Sequence, residues 1–96
     1  MQIVIDIQKK LELDFGSESS LAKDELEALY TQTNWRIGNR MVRSIVYLSN
    51  GDFESLKKAI KHANTDYKEV LWLAEYDRGD EQLRDFNKTF EALGLL

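Results

Sequence analysis

The chain has 96 residues, 43% of them hydrophobic, with no proline, no cysteine and a formal net charge of −4. This length corresponds to a single domain, residues 1–96, and the missing cysteines exclude disulfides, thiolate metal sites and thiol nucleophiles. The longest apolar run, residues 70–74, is far shorter than the ~20 residues of a membrane span, and no signal peptide is recognisable, so we expect a cytoplasmic protein without membrane contact.

Residues 2–15 are compatible with two secondary structures. Their apolar side chains fall on one face of a helix, but the odd-numbered ones also alternate as they would in a β-hairpin. Lys9 and Lys10 would make a poor hairpin turn, because neither favours a positive φ. Gly16 stands where a glycine commonly ends a helix. The sequence favours a helix, and an α+β fold with a hairpin at 2–15 is the alternative.

Three further helices are predicted over 21–32, 35–49 and 53–63. Each of them follows a residue that can cap a helix amino terminus, namely Ser20, Asn34 and Asp52. The apolar residues of the 35–49 helix cover about half of its circumference, which is too wide for contact with one neighbour alone. Two small residues lie within this apolar arc, Gly38 and Ser49, and we expect another backbone to approach the helix closely there.

Two more helices are predicted over 67–76 and 81–93. Asp66 opens a sequence that resembles a capping box, with Thr65 as a rival cap, and Asp80 precedes the last helix. The connections are short, and no repeat or interdomain linker is present. The sequence therefore predicts an all-α single domain, a compact bundle of five to six short helices.

Several kinds of chemistry lack the residues that they require. The 5 glycines are too far apart for a phosphate-binding G-x-G-x-x-G loop, and His62, the only histidine, has no partners at metal-ligand spacing. The paired surface acids, such as Asp24 and Glu25, do not by themselves imply a carboxyl group with a shifted pKa in a cleft. We therefore expect no catalytic residue, no cofactor and no metal site.

The 35–49 helix carries a strip of positive charge, which we call the arginine strip: Arg36, Arg40, Arg43 and Tyr47. Residues 34–68 hold 7 basic and 3 acidic side chains, whereas the segments on either side each hold 7 acidic and 3 basic ones. Since this helix contains no acidic residue, pairing within the helix cannot neutralise the arginines.

Three interpretations of the arginine strip are open. The arginines can pair with carboxylates of the two acidic end segments, they can bind a protein partner or an acidic ligand, or they can bind nucleic acid with Tyr47 stacking on a base. A sequence pI of about 5.0 argues against nucleic acid. The uneven charge distribution favours pairing within the chain.

The 67–76 helix is apolar on both sides, which is typical of a central helix covered by neighbours. Alternatively, Trp72 and Tyr76 form an exposed aromatic patch that contacts a partner. Neighbouring residues 51–71 resemble segments of small bacterial proteins, without indicating a family.

The hypothesis that follows is a non-catalytic protein-interaction or regulatory module of a small bacterial cytoplasmic type. Its candidate partner-binding residues are Arg36, Arg40, Arg43, Tyr47, Trp72 and Tyr76. The alternative is a nucleic-acid-associated accessory protein that uses the arginine strip. The sequence leaves open both the identity of a protein partner and the choice between a monomer and a homodimer.

Overall fold

Five α-helices form the protein in the computed structural model, which describes residues 3–34 and 36–96. They are α1 (Ile5–Phe15), α2 (Ser19–Gln32), α3 (Gly38–Ser49), α4 (Phe53–Thr65) and α5 (Tyr67–Tyr76), with a 3₁₀ turn over Gly16–Glu18. The described part of the chain contains no β-strand, so the predicted all-α bundle is confirmed. None of the helices described is both long enough and apolar enough to span a membrane.

The amino-terminal segment is helical, and the alternative hairpin at 2–15 is wrong. Ile7, Leu11 and Phe15 lie on the buried face of α1. Ile5 and Leu13, which a strand would place on the same side as Ile7, are 69% and 66% exposed. The helical period therefore decides which side chains of this segment enter the core.

The central helix of the bundle is α3. Every residue from Met41 to Val46 is buried, and α3 packs against α4, α5 and α1. The prediction that the 67–76 helix is covered on both sides is wrong, because Tyr67 is 55% and Trp72 44% exposed. The half-apolar circumference of α3 is explained by its several neighbours.

Two of the predicted helix caps are confirmed. The carboxylate of Asp52 accepts a hydrogen bond from Ser55 N at 2.9 Å, and that of Asp66 accepts one from Glu69 N at 3.2 Å. Ser20 lies inside α2, whose N-cap position is Glu18. Asn34 has a φ of 54° and caps no helix, because α3 begins only at Gly38. Trp35, the predicted first residue of that helix, lies outside the described residues.

The close backbone approach expected at Gly38 is wrong, and such an approach occurs at Gly51. A Cβ at Gly38 would meet nothing within 4 Å. The glycine is favoured there because the backbone has a positive φ of 75°, and not because another backbone lies close to it. A Cβ at Gly51, in the turn between α3 and α4, would lie 2.6 Å from the carbonyl oxygen of Asp14. The turn after α3 thus packs directly on the carboxyl-terminal end of α1.

The predicted helix over 81–93 is wrong, and Asp80 therefore caps no helix. Residues 77–96 form turns and irregular backbone, although Phe86 and Phe90 are fully buried, as the helical pattern required. The N–H of Phe86 donates to the Glu75 carboxylate and the N–H of Phe90 to that of Asp6. Carboxylates on the helices thus replace the carbonyl acceptors that a helix would supply to these two groups.

Candidate functional site

Arg43 is buried inside the bundle and pairs with Asp6 of α1. Its Nε lies 2.9 Å from Asp6 Oδ2 and its Nη2 lies 3.0 Å from Oδ1, which is the bidentate geometry of a strong ion pair. Its Nη1 also donates to the carbonyl oxygen of Phe86 at 3.2 Å. Arg43 and Asp6 are 7% and 3% exposed, so this arginine contacts the interior of its own chain.

Asp6 joins α1, α3 and the carboxyl-terminal segment. Besides Arg43, its Oδ2 accepts the N–H of Phe90 at 3.1 Å. Burial by itself would raise the pKa of Asp6, but the hydrogen bonds from Arg43 and from Phe90 N–H outweigh it and lower the pKa below the usual 3.8. The carboxylate is therefore held in its ionised form.

Arg40 pairs with Glu75 of α5 in a second bidentate contact. Arg40 Nη2 lies 2.6 Å from Glu75 Oε1, and its Nε lies 3.1 Å from Oε2. Glu75 is fully buried and also accepts the N–H of Phe86 at 2.8 Å. The hydrogen bond to Glu75 raises the pKa of Arg40, although burial opposes this shift. Arg40 is thus bound to the second acidic end segment.

Tyr47, at the end of the arginine strip, packs within the molecule. Its ring centroid lies 5.3 Å from that of Phe86, and the guanidinium of Arg84 lies 4.7 Å from the Tyr47 centroid. Arg84 in turn pairs with Asp77 at 3.0 Å and donates to the carbonyl oxygen of Ala74 at 2.7 Å. Arg84 therefore covers the ring face that stacking on a base would require.

Arg36 differs from the other arginines of the strip. It is exposed, and within residues 3–34 and 36–96 it forms no ion pair. It lies at a surface groove of about 320 Å³, which we call the Arg36 groove. The other residues that line this groove are Thr33, Ile37, Met41, Ala63, Asn64 and Tyr67. A lone guanidinium beside apolar and amide side chains can bind a carboxylate that is attached to an apolar group.

The aromatic residues Trp72 and Tyr76 are not among the residues that line the Arg36 groove. Trp72 is partly exposed on α5, and its Nε1 donates to the carbonyl oxygen of Gly79 at 2.9 Å. Tyr76 is half-buried at the end of the same helix. Neither residue lines the Arg36 groove, so the structure does not combine the aromatic patch and Arg36 into one pocket.

Asp6 and Glu75 were not predicted individually as the partners of the arginines, although the two acidic end segments were expected to supply such partners. Each has a signal in the sequence, since Asp6 interrupts the apolar run "IVIDI" and Glu75 follows the apolar run "VLWLA". Charged residues are seldom fully buried unless they are paired. In the described part of the chain, every buried side-chain nitrogen and oxygen has a hydrogen-bond partner.

The remaining groove residues, above all Tyr67, were not predicted because they come together from two stretches, 33–41 and 63–67, that are distant in sequence. Within the described ranges, no three side chains of histidine or acidic type are grouped so as to hold a metal ion.

Comparison of the chain with protein-family models, with curated proteins and with solved structures finds no match.

Proposed function

We propose that the protein is a non-catalytic protein-interaction module and that the Arg36 groove binds its partner. The observation that carries this proposal is the division of the arginine strip. Arg40 and Arg43 form ion pairs with buried carboxylates, whereas Arg36 is exposed beside an apolar groove. An exposed arginine next to Tyr67 and Met41 combines residue types that are enriched at interface hot spots.

The occupant that fits this groove is a segment of a partner protein in which an acidic residue adjoins an apolar one. The carboxylate would pair with Arg36, and the apolar side chain would lie against Ile37 and Met41. A volume of about 320 Å³ is at the lower end of the range for ligand pockets, which suits one or two side chains and not a large cofactor.

Selection of a random 12-residue peptide library on the full chain tests the proposal. The expected result is enrichment of peptides that place aspartate or glutamate beside a leucine, isoleucine or phenylalanine. The Arg36→Ala variant should bind these peptides at least about tenfold more weakly, because it loses a charge-assisted contact. Tyr67→Ala should weaken binding as well.

Lys88→Ala provides the matched control, since it removes one exposed positive charge outside the groove. It should leave peptide binding unchanged. The proposal fails if the enriched peptides carry no acidic residue, or if Arg36→Ala and Lys88→Ala bind them equally well.

The nucleic-acid alternative has less support. Two of the three arginines contact carboxylates, and Arg84 covers the ring of Tyr47. A titration with single- and double-stranded oligonucleotides at low salt distinguishes the two functions. Binding to phosphates would weaken steeply as the salt concentration rises, and we expect no such binding.

A further inference from the structure

The carboxyl-terminal arm, residues 80–96, is attached to the helices in an unusual way. It has no helix or strand of its own, and its two phenylalanines are fully buried among the helices. The backbone of Phe86 donates to Glu75 and accepts from Arg43, while the N–H of Phe90 donates to Asp6. The arm is therefore bound much as a separate peptide would be bound in a groove.

The groups that hold the arm belong to the helical part of the chain. Asp6 lies on α1, Arg43 and Tyr47 lie on α3, and Glu75 lies on α5. The carbonyl oxygen of Glu75 also accepts the N–H groups of Leu83 and Arg84. None of these contacts requires that the arm and the helices be joined by the same covalent connection.

The connection between α5 and the arm is conformationally unfavourable. Asp77 and Arg78 follow each other with φ values of 48° and 66°, a region that aspartate tolerates but that arginine seldom adopts. The Asp77–Arg84 ion pair closes this connection, but Asp77 is half exposed, so the pair contributes little. We call residues 77–79 the hinge.

From these observations we infer that the arm exchanges between two copies of the chain. Residues 80–96 of one copy then bind to the arm-binding groove of the other copy, which is formed by Asp6, Arg43, Tyr47 and Glu75. An empty groove would leave Phe86 and Phe90 in water and would deprive Asp6 and Glu75 of hydrogen-bond donors. A released arm must therefore be replaced, and an identical arm restores every contact. The monomer and the dimer with exchanged arms then differ in free energy mainly through the strain of the hinge and the entropy of association.

The decisive measurement uses the wild-type chain after it has been unfolded and refolded at high concentration. Equal amounts of ¹³C-labelled and unlabelled chain are mixed, and light scattering identifies the dimer. Isotope-filtered NMR then asks whether the rings of Tyr47 and Phe86, whose centroids are 5.3 Å apart, belong to different copies. The inference predicts that this contact becomes intermolecular in the dimer. It is overturned if the chain remains a monomer at every concentration, or if the contact stays within one copy.

Hinge variants test the proposed driving force. The double variant Asp77→Gly/Arg78→Gly accommodates a positive φ without strain, so its dimer dissociation constant should rise at least about tenfold. Asn50→Gly is the matched control, because it relieves a positive φ of 48° in the turn between α3 and α4. This control should leave the dissociation constant unchanged, and equal shifts in the two variants would contradict the role of the hinge.

Discussion

Asp6 and Glu75 each bind two different parts of the molecule at once. Each carboxylate pairs with an arginine of α3 and accepts a backbone N–H of the arm. Such pairs add little net stability compared with an apolar core, but removing one partner leaves an uncompensated buried charge. These two residues therefore specify where α1, α5 and the arm lie against α3.

The lowered pKa of Asp6 predicts how stability depends on pH. Asp6 contributes its stabilisation above about pH 4, the unfolded value, and the contribution is lost as the pH falls through the lower native pKa. Asp6→Asn should lower the free energy of unfolding at pH 7 by about 3–5 kcal/mol, since Arg43 stays buried without its partner. It should also flatten the loss of stability in acid.

Urea unfolding at pH 7 and at pH 3 measures both effects. Asp24→Asn, which removes an exposed acid of α2, is the matched control and should change the free energy of unfolding by less than about 0.5 kcal/mol. If Asp6→Asn kept the acid sensitivity of the wild type, this account of the Asp6 pKa would be incorrect.

Among the helices and their caps, the sequence correctly predicted those whose signals are local in the chain. The caps Asp52 and Asp66, and the helical period of α1, can be identified without tertiary information. The segment 81–93 could not, because its phenylalanines are spaced as in a helix while its backbone donors are bound by carboxylates distant in sequence. The helix cap expected at Asn34 failed because that residue adopts a positive φ.

The contact between Gly51 and α1 gives a prediction at this scale. Gly51→Ala would place a methyl group 2.6 Å from the carbonyl oxygen of Asp14, at a backbone φ of 78°. Gly94→Ala is matched to it, because φ there is 72° but the space around the Cβ is open. Both variants should incur about 1 kcal/mol for the positive φ, and Gly51→Ala should lose about 1–3 kcal/mol more from the steric clash.

Thermal and urea unfolding of the two glycine variants provide the comparison. The excess loss in Gly51→Ala measures how rigidly the turn between α3 and α4 is held against α1. Equal losses of stability would mean that the turn can move away from Asp14 without cost.

At the scale of the whole molecule, the uneven distribution of charge supplies two ion pairs that join the middle of the chain to its ends. The basic middle segment supplies Arg40 and Arg43, and the two acidic ends supply Glu75 and Asp6. The sequence predicted this pairing of segments from charge alone. It could not predict that Arg36 forms no ion pair among the described residues, because that depends on how the segments 33–41 and 63–67 meet in the fold.

The central claim is that Arg40 and Arg43 of the arginine strip stabilise the fold, whereas Arg36 does not. Urea unfolding of Arg36→Met, Arg40→Met and Arg43→Met, which remove the charge but keep an apolar side chain, tests it most directly. We predict losses of about 3–5 kcal/mol for Arg43, about 1–3 kcal/mol for the partly exposed Arg40, and less than about 0.5 kcal/mol for Arg36. Equal losses for all three variants, or the largest loss for Arg36→Met, would contradict the claim.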